Sequence, residues 1–264
     1  MDLKLNDKTA FISGATSGIG YATAKVLLKE GMTVFINGRS KKSLEKAIDK
    51  LQNEVANAKI NGIVANFFKE EEVENIFSKL EKVDVLINNV GIYSTTHFSD
   101  TSATVWKNQF QVNVMSGVAL SNHFLKGMLN QNWGRIVFIS SECAYLVPPD
   151  MISYSVTKAA LHAVSRGLAQ ITRGTEVTSN VVVPGSTLSE GAKNFITQKA
   201  KVEKSTPQIV ETNFFKKERP SSLIERFATT DEVASTIAYL CSPNSSATNG
   251  SVIKVDGGSS GGIL

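Results

Sequence analysis

Residues 9–29 read TAFISGATSGIGYATAKVLLK, and the fold turns on how the pattern changes along this stretch. Residues 9–13 are a short apolar run, such as a strand buried on both faces of a parallel sheet requires. Residues 21–29 carry no Gly or Pro and read as a helix. Between them stand Gly14, Gly18 and Gly20, spaced G-x-x-x-G-x-G. Glycines at a strand-to-helix turn let backbone N–H groups approach a pyrophosphate without interference from a Cβ. The helix N-terminus adds free donors and partial positive charge. Gly14, Thr16, Ser17, Gly18, Ile19 and Gly20 are therefore the candidate phosphate-binding residues.

The same alternation continues outward. Residues 33–37, 60–64, 83–88, 135–140, 178–183 and 251–255 read as further strands, mostly apolar and β-branched. Residues 41–55 place Leu44, Ala47, Ile48, Leu51 and Val55 at helical spacing, and residues 70–80 do the same with Val73, Ile76, Phe77 and Leu80. Repeated strand–helix alternation predicts right-handed βαβ units. The expected architecture is α/β: one domain over residues 1–264, a doubly wound seven-stranded parallel sheet with helices on both faces. Residues 188–227 break the rhythm, being long, Lys-rich and punctuated by Pro207 and Pro220. A surface insertion is one reading; the position after a strand's C-terminal end favours a lid over the substrate.

Composition narrows the function. A net charge of +4 with scattered Lys and Arg offers no basic stripe for nucleic acid. Cys143 and Cys241 argue for a reducing compartment and against a disulfide scaffold. With His97, His123 and His162 they are too dispersed for a metal site, so none is expected. The N-terminus does not read as a signal peptide, and no apolar run approaches the ~18 residues of a membrane span. A soluble, cytoplasmic protein is expected.

The end of the second strand bears on the choice of dinucleotide. An NAD site wants an acid there for the ribose 2′-OH. This chain has Asn37-Gly38-Arg39-Ser40, with no acid before Glu45. Arg39 can clamp a 2′-phosphate through charge-assisted bonds, with help from Ser40 and Lys41 or Lys42. NADP(H) is favoured over NAD(H).

Tyr154 and Lys158 stand four apart on a helical run and so share one face. A phenol with a pKa near ~10 exchanges protons poorly at neutrality. An ammonium ~4 Å away, at an effective dielectric of about 20, favours phenolate by roughly 4 kcal/mol. That lowers the phenol by up to about three units and makes it a competent acid/base. Tyr21 and Lys25 share the spacing, so spacing alone does not separate the two pairs.

Context does. Gly14-x-x-x-Gly18-x-Gly20, Asn88-Asn89-Val90-Gly91, Asn113, Ser141 thirteen residues before Tyr154, Tyr154-x-x-x-Lys158, Pro184-Gly185 and Val255-Asp256-Gly257-Gly258 occur in this order. In this the chain resembles the short-chain dehydrogenase/reductase family along essentially its whole length, and 3-oxoacyl-[acyl-carrier-protein] reductase-like members in particular. The resemblance implies a single-domain Rossmann fold and hydride transfer between NADP(H) and a carbonyl or secondary alcohol. It implies Tyr154 as general acid/base, Lys158 lowering its pKa and bonding the nicotinamide ribose, Ser141 holding the substrate oxygen, and Asn113 holding a relay water. It also implies Asn66, Asn88, Val90 and Gly91 near the cofactor, Pro184, Gly185 and Thr187 around the nicotinamide, and a homodimer or homotetramer.

Departures from the family pattern are Ser13 for Thr, Val90 for Ala and Asn66 for Asp. They bear on cofactor geometry rather than on activity. The alternatives are an NAD-dependent alcohol dehydrogenase, a non-catalytic dinucleotide-sensing scaffold, and a nucleic-acid-binding protein suggested only by the pI. Lys193, Lys199, Lys201, Lys204, Lys216, Lys217, Arg219 and Arg226 on the 188–227 stretch fit either an anionic substrate or a solvated face.

Overall fold

In a computed structural model, which describes residues 2–262, seven strands form one parallel sheet in the order β3-β2-β1-β4-β5-β6-β7. They are β1 (Thr9–Ile12), β2 (Thr33–Gly38), β3 (Lys59–Val64), β4 (Val85–Asn88), β5 (Gly134–Ile139), β6 (Val177–Pro184) and β7 (Val252–Val255). Side chains alternate between faces along each strand, which explains two cores. Ala10, Ile12, Val85, Ile87, Val137 and Ile139 enter one; Phe11, Leu86, Ile136 and Phe138 enter the other. The first core is covered by α1 (Gly18–Lys29), α2 (Lys41–Glu54) and α10 (Thr230–Cys241). Over the second lie α3 (Glu70–Lys79), α5 (Ser116–Asn130) and α7 (Ile152–Ile171). The doubly wound arrangement expected from the sequence is thus present.

The chain reverses its direction of winding between β1 and β4, which opens a crevice at the C-terminal strand ends where α/β sheets bind ligands. Leading into α5, α4 (Ala103–Phe110) runs through a π-turn, Gln111–Met115, that holds Asn113. A four-residue helix, α6 (Cys143–Leu146), follows β5. Residues 188–227 differ from an irregular loop: they form α8 (Glu190–Val202) and α9 (Pro207–Lys217), capped by Ser189 and Thr206. These helices enclose a small core of their own, with Ile196, Ala200, Val210, Phe215 and Phe227 buried together. The two prolines punctuate helices: Pro207 opens α9 and Pro220 lies just beyond its end.

Candidate active site

The glycine turn is held by side chains from three strands. Ser13 Oγ accepts from the N–H groups of Asn89 and Val90 at 3.0 and 3.1 Å and donates to the Ile87 carbonyl. Asn89 Nδ2 donates to the carbonyls of Ser13 and Gly14, both at 2.9 Å. Asn37, wholly buried, accepts from Gly14 N–H and donates to the carbonyls of Ile63 and Ala65. Gly14 has φ +64°, and a Cβ there would meet the Val90 backbone at 3.0 Å. The bulk of Val90 packs over this glycine and against the second core. Ser13→Ala would strand two part-buried N–H groups. A loss of about 2 kcal/mol is expected in urea unfolding without cofactor, while a loss under about 0.5 kcal/mol would show that water replaces the hydroxyl.

Beside this turn a cleft of about 270 Å³ is lined by Gly14, Thr16, Ser17, Arg39, Asn66 and Val90, among others. It shares Ser17, Asn89 and Gly91 with a second cleft of about 690 Å³ that continues past Gly18 and Ile19 to Ser141, Tyr154, Lys158, Pro184, Gly185 and Thr187. The two form one trough along the crevice. Four expected residues fall outside it: Gly20, Ser40, Asn88 and Asn113. Asn88 donates to Ser121 on α5, because adjacent strand residues face opposite sides and Asn89 takes the cleft side. Ser40 caps α2 through Ser43 N–H. Gly20 lies under the turn, where a Cβ would strike Asn89 Nδ2 at 2.6 Å.

At the far end of the trough, Ser141 and Tyr154 line the cleft together, and Ser141 accepts from Cys143 N–H at 3.2 Å. Lys158 Nζ lies 5.6 Å from the Tyr154 ring centre and donates to the Ile139 carbonyl at 2.8 Å. The anticipated lowering of the phenol is absent from the free protein: burial raises the Tyr154 pKa, and Ser141 draws it down only in part. The ammonium is itself penalised, since burial lowers Lys158 from 10.5 to about 8. Asn113 is buried, but its side chain clamps Ile92, accepting from its N–H at 2.7 Å and donating to its carbonyl at 2.9 Å. It also donates to Thr157, which in turn donates to the Tyr154 carbonyl.

The buried ammonium has a consequence for stability. Below pH 8 Lys158 is protonated folded and unfolded, and the folded state carries the full penalty. From pH 8 to 10.5 the unfolded state holds more protons, so stability rises with pH. Lys158→Met is therefore expected to stabilise the cofactor-free protein at pH 7 by about 2 kcal/mol, after about 1 kcal/mol for the lost Ile139 bond. Urea unfolding should show the gain shrinking toward pH 10; a pH-independent difference would contradict it.

The second Tyr-x-x-x-Lys pair separates cleanly from the first. Tyr21 and Lys25 lie on α1, with Lys25 paired to Glu54 at 3.4 Å, and neither lines the trough.

Gly185 is required by close approach, since a Cβ would meet the Asp256 backbone at 2.7 Å. Asp256 accepts from the N–H groups of Gly258 and Ser260, and Gly257 O accepts from Leu223 and Ile224 N–H. The Val255–Gly258 motif thus buttresses both the β6 end and the segment after α9.

The family model for short chain dehydrogenases matches residues 8–200. The chain belongs to the short-chain dehydrogenase family. It is 41% identical over 261 residues to the uncharacterized oxidoreductase YvrD of Bacillus subtilis, covering 98% of each chain. It is 30% identical over 262 residues to the 3-oxoacyl-[acyl-carrier-protein] reductase FabG of Aquifex aeolicus, covering 98% of this chain and 99% of the other. The L-sorbose reductase of Gluconobacter frateurii, solved with NADPH and L-sorbose, matches over the full length of both chains with a TM-score of 0.92 and 26% identity.

This short-chain dehydrogenase is an NAD(P)-dependent oxidoreductase acting on CH–OH/C=O groups. The trough fits such a cofactor: Ser17 makes no side-chain cap, and the first turn of α1 carries no acid, so its N–H donors are left for an anion. Sequence reasoning missed Glu142, Ser186, Met151 and Phe195, which also line the second cleft. Only the adjacency of Glu142 to Ser141 hinted at any of them. Of the basic residues on 188–227, Arg219 alone lines this cleft. Lys201, Lys204, Lys216 and Lys217 are exposed, as a solvated face requires. Among the described residues no group could hold a metal ion, and no helix is long and apolar enough to cross a membrane.

Proposed function

We propose that the protein is an NADP(H)-dependent carbonyl reductase in which Tyr154 delivers the proton. The observation that carries this reading is the meeting of Ser141, Tyr154 and Lys158 in the second cleft, joined to the cleft that holds Arg39. A bound nicotinamide supplies the hydride. The turn at Gly14–Gly20, with Ser17 and Thr16, would hold the pyrophosphate. Arg39 would hold the 2′-phosphate, Asn66 and Val90 the adenine side, and Gly91, Pro184, Gly185 and Thr187 the nicotinamide side.

The protein residues then need only position the substrate and move one proton. Ser141 holds the substrate oxygen beside the phenol. Tyr154, kept protonated by burial, is poised to give its proton to an oxygen gaining negative charge. Lys158 stays mostly charged at pH 7 and stabilises the phenolate left behind. Asn113 contributes through Ile92, which lines the first cleft, and through Thr157, which donates to the Tyr154 carbonyl. Helix α8 and the segment after α9 act as the lid, with Phe195 from the first and Arg219 and Phe227 from the second reaching the cleft.

Titration with NADPH and NADH separately, followed by nicotinamide fluorescence, and then addition of small ketones and 3-oxoacyl thioesters, tests the reading. Tighter binding of NADPH and its oxidation by a carbonyl compound are expected. Binding without oxidation by any compound would favour the sensing scaffold instead.

A further inference from the structure

Glu142 is the least explained residue of the cleft. It follows Ser141 directly, is 2% exposed, and lines the cleft with Tyr154. One carboxylate oxygen, Oε1, accepts from Arg219 Nε at 2.6 Å and from Ser186 Oγ at 2.9 Å. The other, Oε2, is buried and has no hydrogen-bond partner. A buried carboxylate oxygen without a donor is unusual, because burial removes the water that would serve it.

The surroundings narrow what would fill this place. Arg219 already balances the carboxylate, so the pair is neutral and what Oε2 lacks is a donor rather than a charge. Arg219 is also committed, with Nη1 on the Glu218 carbonyl and the guanidinium 5.6 Å from the Phe214 ring centre. Its charge is therefore met first by Glu142 rather than held for an anionic substrate. The carboxylate cannot retreat: its backbone N–H donates to the Pro184 carbonyl at 2.9 Å, tying it to the end of β6. Glu142 is thus fixed from β5, β6 and the segment after α9 at once, next to the serine that holds the reacting oxygen.

We propose that Glu142 determines substrate specificity by accepting, at Oε2, a hydroxyl of the substrate, so that the carbonyl compounds taken are hydroxyketones. This rests on the reductase reading above. A neutral O–H donor on a carbon near the carbonyl matches a neutral pair with one buried, unserved acceptor. A plain ketone in the same place leaves Oε2 unserved, and sites built to bond a hydroxyl reject analogues lacking it by large factors.

The test compares 1-hydroxy-2-butanone and 4-hydroxy-2-butanone with 2-butanone, using NADPH and the wild-type protein. The better hydroxyketone is expected to exceed 2-butanone in kcat/KM by ~10²-fold or more. In Glu142→Gln, the amide oxygen must face Arg219 and Ser186, which leaves an N–H₂ donor where Oε2 was. The hydroxyl preference should then fall below about tenfold, chiefly through KM. Oxidation of NADPH by all three ketones at similar kcat/KM in the wild type would overturn the inference and leave the reductase reading standing. A preference unchanged in folded Glu142→Gln, checked by NADPH fluorescence, would overturn it as well. No oxidation with any ketone or thioester would overturn both.

Discussion

Tyr154→Phe is expected to lower kcat for ketone reduction by ~10³-fold while NADPH still binds with nearly wild-type affinity. The substitution removes one oxygen from a half-buried ring on α7 and leaves its T-shaped contact with Tyr93 intact. The fold should therefore persist, and the loss should fall on kcat. In the wild type, burial holds the phenol protonated, so its proton remains available well above neutrality. Lys158 titrates near 8, and its charge is what stabilises the phenolate left after transfer. Reduction should accordingly hold from pH 6 to about 8 and decline above, as the ammonium is lost. Stopped-flow oxidation of bound NADPH across this range measures both effects. A Phe variant retaining more than about a tenth of the rate would mean that another group supplies the proton.

Arg39→Asp is expected to weaken NADPH binding by ~10²-fold and to leave NADH within a few-fold of its starting value. The side chain is exposed at the edge of the first cleft, beside Thr16, Ser17 and Asn66. Charge-assisted bonds to a phosphate contribute on the order of 2–3 kcal/mol, and a carboxylate in the same place adds repulsion. At ~1.4 kcal/mol per decade this gives the stated factor. Raising the salt concentration should narrow the difference between wild type and variant, because the site is open to solvent. Equal losses for NADPH and NADH would place Arg39 outside the 2′-phosphate site and return the choice of cofactor to the neighbouring lysines. Fluorescence titration of each cofactor against each protein decides it.

The strands, the covering helices and the glycine turn were legible because each depends on local pattern. A run such as 135–140 is apolar on both faces whatever lies beside it, and α2 shows its buried stripe in Leu44, Ala47 and Leu51. The family resemblance then separated Tyr154 from Tyr21, since only Tyr154 stands in the run of family motifs, thirteen residues after Ser141. Residues 188–227 were harder to read. Their helices cover a separate small core, and Lys-rich outer faces with two prolines hide the stripe formed by Ile196, Ala200, Val210 and Phe215.

Which side chains meet across the fold was not legible at all. Asn89 reaches Ser13 across 76 residues, and Arg219 reaches Glu142 across 77. Asn88 and Asn89 look equivalent on paper, yet strand alternation sends one to α5 and the other to the cofactor trough. The electrostatics reversed for the same reason. Spacing along a helix put an ammonium near a phenol, but the interior around Lys158 and Tyr154 exists only once β5, α7 and the β6 end have packed. Desolvation then raises the phenol and lowers the amine. Local periodicity carries the backbone plan and the residue types of the chemistry; the dielectric and the distant partners that tune it come from packing alone.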